Sequence, residues 1–286
     1  MIPLLLIVTG LFPGDAPEVE NPLVKELVEK GLVLPQGPFQ LPAPVMSDGL
    51  SAADQVAVIK KISTNYENFI RNKVVSPHVL KINAVEGPNK ERIGQKVDLY
   101  FVAYGKLKSA VSSDVLERLL GNPKANIGKG DASFLSDDQL KKRKITVTKA
   151  KNLEERYTLL NFELLDKVQL SGVGRAFKTN GPKAIESALQ LDPRFAKDAA
   201  FPNQWQAVTL QDGVKKFGPA MPYEGFGGYV RVTELKEPAG ALFVEFHLVL
   251  NEPKEWFGGR SLIKAKLPLA IKVRVETFRR QLAAAK

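Results

Sequence analysis

Gly227-Gly228-Tyr229-Val230-Arg231-Val232-Thr233 runs on to Glu237, and Ala241-Leu242-Phe243-Val244-Glu245-Phe246-His247 runs on to Leu250, with Pro238-Ala239-Gly240 between them. Both stretches are rich in β-branched and aromatic residues and alternate in polarity with period two, the pattern of paired antiparallel strands. A three-residue connection ending in glycine suits a turn closed by a left-handed residue. Pairing Glu237 with Ala241 predicts Val232 opposite Phe246, Val230 opposite Leu248, Arg231 opposite His247 and Thr233 opposite Glu245. A slip of one residue would set Arg231 against Phe246, so the parity is fixed. Tyr229, Arg231, Glu245 and His247 then share one face of the sheet.

That face holds most of the chain's capacity for chemistry near neutral pH. The 286 residues include two histidines, His78 and His247, and no cysteine. A cysteine nucleophile, a disulfide and a thiolate metal site are thereby excluded, and two separated imidazoles leave little for a histidine-rich metal centre. Glu245, His247 and Arg231 are the catalytic candidates, because an imidazole near a carboxylate and a guanidinium can move a proton or hold an anion. Neither a third metal ligand nor a nucleophile accompanies them. No cofactor is expected: Gly128-Lys129-Gly130 lacks phosphate-loop spacing, and Gly172-Val173-Gly174 lacks the third glycine of a dinucleotide loop and reads as a strand kink. A second cluster of binding candidates, Asp192, Arg194, Asp198 and Trp205, sits with Phe195 in a connecting region mixing acids, arginine and aromatics. Read as structure, the same residues are a packed loop with Asp192 capping a short helix.

Outward from the hairpin, Val97–Tyr104 reads as a central strand covered on both sides, preceded by a strand at Val79–Val85. Tyr157–Phe177 reads as long β structure with a bend at Asp166-Lys167, and Ile145–Val147 as a strand following the basic run Lys141–Lys144. Ser51 is placed to cap a long helix carrying Val56, Ile59, Ile62, Tyr66, Phe69 and Ile70, ending before Pro77. Shorter helices are expected at Val115–Leu120 and after Pro182, the latter bearing Ile185, Ala188 and Leu189. A final helix from Pro268 shows a buried stripe of Ile271, Val275, Phe278 and Leu282, with Lys272, Arg279 and Arg280 outside it. Burying Phe278 contributes about 2 kcal/mol. The fold class is therefore α+β: a curved antiparallel β-sheet packed against a long N-terminal helix and a C-terminal helix.

Seven prolines between Pro13 and Pro44 predict an extended linker holding one short helix around Leu23, Leu27 and Val28. The expected organisation is an export signal at 1–16, a proline-rich lead at 17–50 and a single α+β domain at 51–286. The apolar run Leu4–Phe12 has the length of an export-signal core and is too short to span a bilayer, which points to a periplasmic or extracellular protein. No basic residue precedes it and Pro17 follows Ala16, so a cytoplasmic location is the alternative. A formal charge of +10 favours anionic partners. No nucleic-acid module is present, so sequence-specific binding to nucleic acid is not expected.

The order of a helix, long antiparallel strands and a terminal helix resembles helix-grip, or START-like, lipid-binding domains, in which a curved sheet closes over a long helix. The segments Gly227–Thr233 and Ala241–His247 resemble those of an uncharacterised family of exported bacterial proteins with no assigned activity, so that likeness implies no catalytic residues. These readings favour a non-enzymatic extracytoplasmic binding or structural protein. A carrier of a lipid or other apolar ligand, held between sheet and helix, is the first alternative, and a hydrolase using the Glu245–His247 pair is the second.

Overall fold

Residues 20–110, 134–259 and 262–285 are described by the structure, a computed structural model. The apolar run at 4–12, the expected helix at 115–120 and Gly128-Lys129-Gly130 lie outside them. In chain order come α1 (Pro22–Glu29), β1 (Leu32–Leu34), β2 (Gly37–Phe39), α2 (Ala52–Ile62), α3 (Tyr66–Phe69), β3 (Val79–Glu86) and β4 (Arg92–Tyr104). Then follow α4 (Leu107–Ala110), α5 (Asp137–Lys142), β5 (Lys149–Ala150), β6 (Leu153–Leu164), β7 (Val168–Asn180) and β8 (Ala184–Leu191). The chain closes with β9 (Gln204–Gln211), β10 (Val214–Phe217), β11 (Met221–Pro222), β12 (Phe226–Glu234), β13 (Ala241–Asn251) and α6 (Leu262–Ala284).

Strands β3–β13 form one antiparallel sheet whose spine runs β7-β8-β12-β13-β4-β3. β6 follows the whole of β7, from Leu153 opposite Thr179 to Leu164 opposite Val168. β8 and β9 share the rest of β7, β8 pairing with 174–180 and β9 with 168–171. Gly172 and Gly174, read as a kink, stand in β7 where an added Cβ would meet Asn203 Oδ1 and Leu189 Cδ1, each at 2.5 Å. The absent side chains let Asn203 reach in and accept from the Val173 amide at 3.0 Å.

The central hairpin forms with the expected parity and a register shifted by two. Arg231 lies opposite Glu245, Tyr229 opposite His247, Val230 opposite Phe246 and Thr233 opposite Phe243. The cause is the connection: six residues, Leu235–Gly240, join the strands instead of three, and Leu235 donates its amide to Ala241 across their mouth. A shift of two keeps every side chain on its expected face.

Other expectations change with the packing. The long N-terminal helix is absent: α2 stops at Ile62, and Asn65 accepts from the Asn68 amide to start the separate turn α3. Ser63-Thr64-Asn65 offers side chains that compete with helical hydrogen bonds, which breaks the run there. The helix expected after Pro182 is strand β8, buried on both faces between β7 and β12. A short buried apolar run has no periodicity that separates the two states. Residues 145–147 are not in a strand, and Lys141-Lys142 instead close α5.

The C-terminal helix buries Ile271, Val275, Phe278 and Leu282 as expected, but it begins at Leu262 and carries Pro268 within it. Arg279, expected to be solvated, is buried. Its guanidinium donates to the carbonyls of Val102, Val74, Ser76 and Pro77 and lies over the Phe101 ring. Burial brings its pKa down to about 10, against a smaller opposing pull from the Glu276 carboxylate. The segment read as a linker is also ordered: Leu23, Leu27, Leu32, Leu34 and Leu41 are buried with Tyr229 and Val249 of the sheet.

Phe278 meets Phe101 edge-on at 5.6 Å, pinning α6 to β4. Phe278→Ala is expected to destabilise the protein by about 3–5 kcal/mol, read as a shift in the urea unfolding midpoint. Unchanged stability would mean that this contact does not hold the helix.

Candidate functional site

Alternation divides the central strands into two faces. Val97, Leu99 and Phe101 of β4, Val230 and Val232 of β12, and Val244, Phe246 and Leu248 of β13 form the core that α6 covers. On the opposite face the cross-strand rows read Asp98–His247–Tyr229 and Tyr100–Glu245–Arg231–Glu186. Arg231, Glu245, His247, Asp98 and Glu186 are all buried in a row of charge.

What buries that row is the proline-rich segment 41–48, a strap laid across it. Pro42 and Pro44 have no N–H, so Val45 and Met46 bring the next two amides of the chain. Both point at one carboxylate: Val45 donates to Glu245 Oε2 at 2.8 Å and Met46 to Oε1 at 3.3 Å. The Tyr229 hydroxyl donates to the Pro42 carbonyl at 2.7 Å. At the strap's end Asp48 meets Arg231 at 2.6 Å, and Arg231 also donates to Glu186 at 2.5 Å.

His247 sits between the rings of Tyr100 and Tyr229, at centroid distances of 5.5 and 4.9 Å. Its Nδ1 donates to Asp98 at 2.7 Å, while Glu245 lies 3.7 Å from Nε2, in ion-pair range but beyond a hydrogen bond. Burial lowers the imidazole pKa, but the Asp98 hydrogen bond and the Glu245 carboxylate outweigh it, and the net direction is upward. Burial raises the Asp98 carboxyl, but bonds to His247 and Lys96 outweigh it, and the net direction is downward. Glu186 moves up, because burial and the like charges of Glu245 and Asp48 exceed what Arg231 restores. Four carboxyls, Asp98, Glu245, Glu186 and Asp48, thus face the cations Lys96 and Arg231 and the His247 imidazole.

The expected site residues are therefore separated. Tyr229, Arg231, Glu245 and His247 come together and are buried, the first three bonded to the strap. Asp192, Arg194 and Trp205 are elsewhere. Asp192 caps the 3-10 turn Pro193–Phe195 and chelates Arg194, whose far nitrogen reaches the Tyr157 hydroxyl at 2.6 Å. Trp205 packs edge-on against Trp256 at 5.9 Å in the apolar core. Among the described residues no group of three or more acidic or histidine side chains is placed to hold a metal ion. Asp98, Asp48 and Glu186 complete the buried row without having been singled out. The signal for Asp98 was an acid in the otherwise apolar run Val97–Val102.

Open space lies on the other face. A cavity of about 1280 Å³ separates α6 from the sheet, larger than the roughly 300–1,000 Å³ of common small-molecule sites. Phe162, Leu170, Phe226, Phe246, Leu248 and Ile271 are among its apolar lining. Leu165 of the β6–β7 turn also lines it, at φ +54°, a left-handed conformation that a leucine rarely adopts and that costs about 1–3 kcal/mol. Arg274 of α6 completes the wall and has a buried Nη2 with no hydrogen-bond partner. No protein-family model matches the chain, and a search of curated proteins finds no match.

Glu245→Gln substitutes a carboxamide that can accept one strap amide but sets an N–H against the other. We expect a loss of about 2–3 kcal/mol and faster proteolytic cleavage within 41–48, read by mass spectrometry of the fragments; an unchanged cleavage rate would mean that the strap is seated by other contacts.

The His247 pair sets a pH window. A raised imidazole pKa contributes stability that is complete below about pH 6.5 and is lost as the pH rises through the folded-state value. A lowered Asp98 pKa contributes stability that is present above about pH 4 and is lost on acidification. Between these limits wild type should exceed His247→Gln in stability, and the gap should narrow as the pH rises above about 6.5, in urea titrations across the range. A gap that widens with rising pH would refute the assignment.

Proposed function

We propose that the protein is a non-catalytic binding protein that holds an apolar ligand between the sheet and α6. The observation that carries this is the cavity, large and walled by leucine, phenylalanine and isoleucine. Burial of apolar surface is the main driving force for ligands of this kind. A hydrolase is less well supported, since His247 and Glu245 have no exposed surface and the strap amides occupy the Glu245 carboxylate. The apolar run Leu4–Phe12 supports an extracytoplasmic location, which fractionation with sequencing of the mature amino terminus would decide. No described helix is long and apolar enough to cross a membrane.

Saturated alkyl alcohols should bind in a one-to-one complex, each added methylene contributing about 0.8 kcal/mol until the cavity is filled. Displacement of an environment-sensitive fluorophore across a chain-length series reads this out. Affinity that does not depend on chain length, or an absence of binding, would sink the reading.

A further inference from the structure

Arg274 differs from the other arginines of the protein. Of the described arginines that are not exposed, every other one has an acceptor. Arg231 has Glu186 and Asp48, Arg279 has four carbonyls, and Arg143 has both oxygens of Asp198. Arg175 has Glu155, Arg156 has Glu154, and Arg92 lies in ion-pair range of Glu252 at 3.4 Å. Arg274 makes no hydrogen bond or ion pair among the described residues, and its Nη2 is buried.

A guanidinium stays charged under all physiological conditions, so its desolvation cannot be relieved by losing a proton. Leaving a charged donor buried and unsatisfied is among the most costly arrangements a fold can keep. The position also follows from the helix: Arg274 stands three residues after Ile271 and four before Phe278, on the side that faces the sheet. Burial pushes its pKa down, the direction expected where nothing nearby compensates the charge.

We infer that the ligand is an anionic amphiphile whose acid group, carboxylate or phosphate, is held by Arg274 while its hydrocarbon chain fills the cavity. This rests on the binding-protein reading above. The guanidinium's planar fork of donors matches either acid group with two parallel hydrogen bonds, which the apolar walls cannot supply to one another. The rest of the lining agrees in sign. Lys167, Lys215, Lys266 and Arg274 against Glu163 and Asp166 make four cations to two anions, a balance of +2. Glu163 is taken up by Lys215 at 2.8 Å and so leaves Arg274 unopposed.

The test compares hexadecanoate, hexadecyl phosphate and hexadecanol on the full chain and on Arg274→Met. Wild type should bind at least one of the acids about tenfold or more tighter than the alcohol, the gain expected of hydrogen bonds to a charged group. Which acid gains more distinguishes a carboxylate from a phosphate ligand. Arg274→Met should lose that preference and leave hexadecanol binding within about twofold, while Arg274→Lys keeps part of it. Arg274→Met should also unfold at the same or a higher urea concentration than wild type, because it removes an uncompensated charge; a guanidinium serving only the fold would give a lower one. Equal binding of acids and alcohol by wild type, or a preference that survives in Arg274→Met, would overturn the anchor and leave the apolar site standing. Failure of all three probes to bind would overturn both.

Discussion

Strand β13 is buried along its whole length from Ala241 to Asn251, yet every second side chain in its middle is polar on one face only. A strand of this kind can be central only if the polar face is satisfied without water. Apolar burial drives the α6 face, where Val244, Phe246 and Leu248 pack with β4 and the helix. On the other face Glu245 and His247 must find partners inside the protein, because each unpaired buried charge would cost several kcal/mol. Most other features of the fold follow from this division: acids and bases on neighbouring strands at matching register, and a cover that brings its own donors.

The strap meets that demand with little ordering cost. Prolines fix φ and remove competing donors, so the unfolded segment has less freedom to lose when it docks. Val45 and Met46 then supply two amides to one carboxylate, and the Tyr229 hydroxyl returns a bond to the Pro42 carbonyl. Buried ion pairs seldom add net stability over an apolar equivalent. Their effect here is positional: a strap slipped by one residue so that Val45 took the place of Met46 would bring Pro44, without N–H, to the other carboxylate oxygen.

Sequence reasoning captured what local alternation controls and missed what tertiary packing controls. The parity of β12 and β13 was legible because a polar residue on the apolar face is costly at every position. Their register was not, because a shift of two leaves the faces unchanged and is set by the six-residue connection. The strand state of β8 is not legible, because its burial on both sides depends on β7 and on β12, the latter far away in sequence. Tyr229, Arg231, Glu245 and His247 were correctly grouped, but their cover came from a segment whose prolines suggested only extension. Arg279 looked solvated on its helix, since the carbonyls of Val74, Ser76 and Pro77 that hold it belong to an irregular turn with no sequence signature.

Helix α6 uses its two halves differently. Val275, Phe278, Arg279 and Leu282 attach the second half to β4 and to the turn before β3, with aromatic contact and four carbonyl acceptors. The first half, with Leu267, Ala270 and Arg274, stands over open space, and Leu269 is 70% and Val273 45% exposed. Pro268 lies in that half and removes one intrahelical hydrogen bond, which lowers the cost of bending there. Ile263 and Ile271, both fully buried, still fix this half to the core, so the helix spans the open space between two anchored points.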